Sequence, residues 1–417
     1  MKIIEHKKQL KIAFLVNEFP CISETFILDQ ITGLLELGHK VHIFAYGKAN
    51  NIQKQHAVIS KYGLLNKAEY FAPIPEDRLT RLWKFSRIFL RQILRHPIWL
   101  LRCLNFRKYG VYESLNHLFL FEPLMDETYD VIHCQYGPIG KSWVYLKEIM
   151  DVKIFTSFRG YDLTKFVHEN HPSVYGELFK RGDVFLPVCN HFSERLQEFG
   201  CPKERLHVLH SGVDVSKYQY KERTFDFQRE IKLLSVGRLV EKKGIQYAIY
   251  AIEKLVKKYP NVHYTIVGTG KIEHELKQLT QSLRLEDNIH FIKNLVDEEM
   301  KEIYYQSQIF ILPCVQAQDH DQEGIPNVLK EAMATGLPVI STRHSGIPEL
   351  IEDGKSGFLV PERDIKGLVS KCEYLISHPQ RCAEMGRAGR RFVEENFDIL
   401  KLNQRLVELY QSLSMVF

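Results

Sequence analysis

Short apolar runs alternate with longer helical stretches along this chain, and they do so in two separate series. A short apolar run bounded by turn residues reads as a strand buried on both faces, and a helix between two such strands makes them parallel. In the first series KIAFLVN (Lys11 to Asn17), VHIFAY (Val41 to Tyr46), DVIHC (Asp130 to Cys134), KIFTSF (Lys153 to Phe158) and DVFLPV (Asp183 to Val188) read as strands. Helical stretches such as Glu24 to Leu37 and Ile139 to Met150 lie between them. The polar, aperiodic stretch from Val213 to Glu230 reads as a linker. A second series follows: IKLLSVG (Ile231 to Gly237), VHYTIVG (Val262 to Gly268), IHFI (Ile289 to Ile292), IFILPC (Ile309 to Cys314), PVIST (Pro338 to Thr342) and GFLV (Gly357 to Val360). With 417 residues the chain is too long for one core. The expected fold is α/β: two doubly wound, Rossmann-like domains, 1–212 and 213–397, facing each other across a cleft. The closing segment, 398–417, reads as helix. Pattern alone does not assign it to a domain, and packing back on the first is one expectation.

The net charge of +5 is small for this length and gives no reason to expect a nucleic-acid partner. Eight cysteines without a C-x-x-C pair read as thiols in a reducing compartment. The charged start has no small-residue cleavage site, and no apolar run is long enough to span a bilayer, so a cytoplasmic location is expected. One insertion, 78–108, has no Asp or Glu. Arg78, Arg81, Lys84, Arg87 and Arg91 recur at helical spacing, with Trp83, Phe89, Leu90, Ile93 and Leu94 between them. Pro97 is expected to split the segment into two helices. A basic helix with bulky apolar residues suits an anionic membrane surface, which would make the protein peripheral at the inner face of the plasma membrane. The plainer alternative is a surface helix with a solvated basic edge.

Three pieces in the second series carry chemistry. EGIPNVLKE (Glu323 to Glu331) follows a strand and a polar loop, and Pro326 is expected at the first helical position. A helix start at the carboxyl edge of a sheet offers free N–H groups and a positive dipole end to a pyrophosphate. Glu331 would lie about one turn in, where it can accept from ribose hydroxyls. GRLVEKKG (Gly237 to Gly244) follows a strand and places Arg238 and Lys243 for a diphosphate. VGTG supplies Gly268 and Gly270, which permit close backbone approach to a ligand. Each piece alone also fits a polar loop or an acidic helix start. A nicotinamide-dependent oxidoreductase would need a G-x-G-x-x-G turn after a first strand, and neither VNEFPCISE nor VGRLVEKKG has one.

Together, SVGRLVEKKG, VGTG and the stretch from EGIPNVLKEAMATG to GFLV resemble the donor domain of glycosyltransferase family four, which carries an E-x7-E motif on the GT-B fold. FPCISETFI (Phe19 to Ile27) and SFRGYD (Ser157 to Asp162) are similar to exopolysaccharide transferases of the colanic-acid type and to cyanobacterial relatives. The resemblance implies a retaining hexosyltransferase. It would use a UDP-sugar, glucose or galactose favoured, and need no metal or other cofactor. The acceptor would be a lipid-linked glycan or oligosaccharide in exopolysaccharide biosynthesis. It implies that Arg238 and Lys243 hold the diphosphate and that Glu323 contacts the donor sugar. Gly324, Ile325, Pro326 and Asn327 would offer backbone N–H groups where they have them, and Glu331 would bind ribose. On the acceptor side it points to Ser23, Glu24, Thr25, Arg159, Gly160 and Asp162. Arg159 and Gln135 stand where many members have histidines. That departure keeps open a second reading, a catalytically inactive sugar-nucleotide scaffold or sensor at the membrane. The D-x-D string of Asp319 and Asp321 reads as loop, since the cationic pair supplies the charge a metal would bring.

Overall fold

The structure is a computed structural model that describes residues 8–21, 24–48, 57–72, 75–223, 225–293, 295 and 297–414. Six parallel strands form a first sheet: β1 (Lys11–Phe19), β2 (Lys40–Lys48), β3 (Ala68–Tyr70), β4 (Val131–Cys134), β5 (Lys153–Phe158) and β6 (Val184–Pro187). Their order is β3-β2-β1-β4-β5-β6. A second parallel sheet contains β7 (Ile231–Val236), β8 (Val262–Val267), β9 (Ile289–Ile292), β10 (Ile309–Leu312), β11 (Val339–Thr342) and β12 (Phe358–Val360), in the order β12-β11-β10-β7-β8-β9. Both sheets start in the middle, run to one edge, and return to build the other half. This is the doubly wound topology, and the order reverses between β1 and β4 and again between β7 and β10. The apolar runs are buried on both faces as expected: every residue of β4, β6, β10 and β11 is buried. The edge strand β3, only three residues long and two of them exposed, has no such signature.

The core of the second half continues into the first. Val188, Cys189 and Phe192 pack in the same apolar cluster as Ile325, Leu329 and Ile347. The last helix, Ile399–Ser414, lies on the first half. Its Leu402, Leu406, Val407 and Tyr410 share a core with Ile12, Phe14, Ile31 and Leu34, and Tyr410 Oη lies 2.6 Å from His133 Nδ1.

The basic insertion forms helices Arg78–Arg95 and Pro97–Cys103, with Pro97 at the first position of the second. A basic helix with bulky apolar residues between its cations was expected here. The structure gives part of them protein partners at the surface: Arg91 pairs with Glu122 and Asp126, Arg95 with Asp126, and Arg81 donates to Asn116. The missing acids come from another segment. The outer face also carries apolar residues, with Leu79, Leu82, Trp83, Leu90, Leu94, Ile98 and Leu101 each more than half exposed (61% to 88%) beside the exposed Arg78, Arg87, Arg91 and Arg95. Among the described residues, no helix is long and apolar enough to cross a membrane, and all eight cysteines are free.

Candidate functional site

In doubly wound sheets, ligands bind at the carboxyl edge where strand order reverses. Here the two reversal points lie on one cleft of about 600 Å³, lined among others by Thr25, Arg159, Arg238, Lys243, Glu323 and Glu331. Gly324, Ile325, Pro326 and Asn327 line it as well.

The turn after β7 sets the cationic wall. Residues Glu241–Lys243 form a single 3-10 turn, and both lysines are buried. Lys243 Nζ lies 3.2 Å from one Glu323 oxygen, and Lys242 Nζ lies 3.3 Å from the other. Lys242 also pairs with Asp321 at 2.9 Å. Burial alone would raise the Glu323 carboxyl. Lys242, Lys243 and Arg238 overcome that and hold it well below the usual carboxylate range. Burial likewise pulls Lys242 down, and Glu323 with Asp321 more than restores it. Glu323 is therefore ionised at any physiological pH. The Glu323 backbone N–H donates to His344 Nε2 at 3.2 Å. The ring proton is thus assigned to Nδ1, which faces Glu362 at 2.6 Å. Lys242, His344 and Glu362 carry no motif signal; they are found only because the fold brings β7, β11 and the loop after β12 together.

The helix of the E-x7-E segment spans Asn327–Ala334. Pro326 was expected as its first residue. It stands one position earlier, at the N-cap, because its ψ of 128° is extended while its φ of −59° would fit either place. No side chain caps this end. The Leu329 N–H donates to the Pro326 carbonyl at 3.2 Å, and no side chain competes with an anion for the N–H groups of Asn327 and Val328. Glu331, in the second turn, accepts from buried Tyr304 Oη at 2.9 Å. Gly268 and Gly270 were expected to admit a ligand, but it is the chain's own backbone that they admit. A Cβ on them would lie 2.0 Å from the Gly237 carbonyl oxygen and 2.2 Å from that of Leu239. They hold the loops after β7 and β8 together, and neither lines the cleft.

On the opposite wall, Arg159 stacks 4.2 Å from the Phe26 ring and donates to the Gln135 carbonyl (3.2 Å), Ser211 Oγ (3.2 Å), Gln30 Oε1 (3.2 Å) and Gln135 Oε1. Gln135 is buried and serves to hold Arg159. Glu24 accepts from Tyr136 Oη at 2.5 Å, and burial pushes its carboxyl up despite that bond. Asp162 is buried and accepts from the backbone N–H groups of Arg159, Gly160 and Gly137 at 2.9 to 3.1 Å, so it organises the loop. At Gly160 that loop approaches the Gln322 carbonyl oxygen of the other half. Thr25 lines the cleft, and Ser23 lies outside the described residues. Asp319 pairs with Lys165 at 2.9 Å and Asp321 with Lys242, so both carboxylates of the D-x-D string have cationic partners.

Comparison with known proteins agrees with this architecture. Residues 217–392 match the family model "Glycosyl transferases group 1", and residues 89–217 match "Glycosyltransferase Family 4". The chain is 35% identical over 415 residues to a putative colanic acid biosynthesis glycosyltransferase, WcaL, of Salmonella typhimurium, covering 97% of this chain and all of that one. It is 33% identical to the amylovoran biosynthesis glycosyltransferase AmsK of Erwinia amylovora, with the same coverage. Among solved structures, Anabaena HepE in complex with UDP and glucose superposes with a TM-score of 0.72 at 17% identity, over 97% of this chain and all of that one.

Proposed function

Because this chain belongs to the GT-B glycosyltransferases of family four, we propose that it moves a hexose, glucose or galactose favoured, from a UDP-sugar to a lipid-linked glycan with retention at the anomeric carbon. The observation that carries this reading is the Lys243–Glu323–Lys242 cluster at the foot of the cleft. The donor reading draws further support from the UDP and glucose held by the Anabaena neighbour, and the exopolysaccharide role from the colanic acid and amylovoran relatives. Breaking the bond from the sugar C1 to the diphosphate builds negative charge on the leaving phosphate. Lys243, Arg238 and the open helix start at Asn327 stabilise that charge where it develops. The acceptor hydroxyl attacks C1 from the same face, and its proton passes to the leaving phosphate oxygen. Glu323 orients the sugar hydroxyls and Glu331 the ribose. The step draws its charge stabilisation from these groups and asks for no metal. NMR of the product decides the stereochemistry: an α-donor should give an α-product, and a β-product would sink the same-face route.

The apolar face of the helices Arg78–Arg95 and Pro97–Cys103 supports a peripheral membrane position at the inner leaflet, near a lipid-linked acceptor. Since Arg81 and Arg91 have protein partners, apolar residues should dominate the binding. Replacing Trp83, Leu90 and Leu94 by serine is expected to weaken sedimentation with anionic vesicles by at least about tenfold. Neutralising Lys84 and Arg87 should mainly flatten its salt dependence. Vesicle binding that survives the serine variant would contradict the role of this apolar face, and an intact chain that binds no vesicles would remove the membrane role.

A further inference from the structure

Lys330, one residue before Glu331, is fully buried. Its ammonium donates to Asn327 Oδ1 at 2.9 Å, to the Ile325 carbonyl at 3.3 Å and to the Ser211 carbonyl at 2.5 Å. An ammonium has three donors, and these three acceptors match them one for one. The first two lie in the open helix start, while Ser211 lies in the segment that leads out of the first half. Ser211 also receives Arg159 on its hydroxyl at 3.2 Å. Two cations, one from each half, therefore meet on one residue at the wall of the cleft, and every hydrogen-bond acceptor of both is neutral. The helix dipole adds further positive potential at the same place. Glu331 near Lys330, and Glu24 and Asp162 near Arg159, offset part of this charge, and an anion in the cleft would offset more of it.

We propose that Lys330 is a positioning residue for the donor diphosphate, which fastens the turn Ile325–Asn327 to Ser211, the residue that Arg159 holds from the other side. The proposal rests on the nucleotide-sugar reading above. Burial pushes the Lys330 amine down to about 7, with Glu331 opposing and Arg159 assisting. As pH rises through that value the amine keeps two donors for three acceptors, and the turn loses one tie. A bound diphosphate favours the charged form, so above neutrality donor binding takes up a proton. The ionisable groups around it are Glu331 on the same helix, Arg159 after β5, Cys189 after β6 and His210 before Ser211. Burial pushes the Cys189 thiol up to about 12, so it stays neutral here. Burial pulls His210 down, with Lys330 adding to the effect and the Val188 carbonyl opposing it.

Calorimetric titration of the full chain with UDP-glucose and GDP-mannose tests this, in buffers of different ionisation enthalpy near pH 7.5. The phosphates of these probes do not titrate in that range, so any proton taken up from the buffer goes to the protein. The intact chain should take up roughly half a proton per donor bound. Lys330→Met and Lys330→Arg should take up almost none: the first cannot carry the proton, and the second never loses it. Lys330→Arg should retain more donor affinity than Lys330→Met. Absence of uptake in the intact chain overturns the proposal whether or not the variants fold, and so does uptake that persists in either variant. If neither probe nor any other nucleotide sugar binds the intact chain, the functional reading itself fails, and this proposal with it.

Discussion

Replacing Lys243 by alanine is expected to lower turnover by about two to three orders of magnitude while the melting temperature stays within a few degrees. The kinetic effect corresponds to about 2.7–4 kcal/mol, the loss typical when one preorganised donor at a developing charge is removed. It should fall on kcat more than on KM, because the leaving phosphate needs the charge most in the transition state. The fold should survive because Glu323 keeps Lys242 at 3.3 Å. Lys242→Ala is the matched control. It strips Asp321 of the cation at 2.9 Å as well as loosening Glu323, so its main effect should be on stability. Steady-state kinetics with parallel thermal melts on both variants would separate the two lysines. Equal kinetic losses with equal stability would contradict their different roles.

Glu323→Gln is expected to damage both activity and stability. The isosteric amide leaves Lys243 without its 3.2 Å carboxylate partner in a nearly dry site. Removing one member of a buried pair costs about 3 kcal/mol or more. The penalty should depend on pH with a definite sign. The folded carboxyl lies below its unfolded value of about 4.3. Its contribution is thus fully present above that pH and lost as pH falls toward the folded value. Denaturant melts from pH 7 down to pH 3 should show the gap between wild type and variant narrowing below about pH 4.3. A gap that is constant across this range would mean that Glu323 is not held ionised by its lysines.

Most of the strand order was readable because parallel strands buried on both faces are continuous apolar runs; β7 to β12 each fell within a stretch legible in the sequence. Strand β3 was not, since a three-residue edge strand buries too little to leave a pattern. The donor-side motif residues Arg238, Lys243, Glu323 and Glu331 were legible because local spacing after a strand end brings them to one edge, and all four line the cleft. What escaped was long-range. Lys242 has no local signal that sets it apart from Lys243, and its role follows from the loop carrying Asp321 and Glu323, which folds over it. Tyr304 reads as one helix residue among others, yet it meets Glu331 from 27 positions away. Lys330 sits inside the motif itself, and its partner Ser211 lies 119 positions away. The acid-free helix Arg78–Arg95 misled in the opposite way, because Glu122 and Asp126 reach it only in three dimensions.

The proposed site holds its nucleotide sugar through the cations after β7. Thermal melts of the intact chain and of an Arg238→Ala/Lys243→Ala variant against a panel of nucleotide sugars test it most directly. At a hundredfold excess over Kd a bound donor adds about 2.7 kcal/mol to the folded state. A UDP-hexose should therefore raise the melting temperature of the intact chain by several degrees and leave the double variant unmoved. A panel in which no nucleotide sugar stabilises the intact chain, or in which the double variant is stabilised equally, would contradict the account.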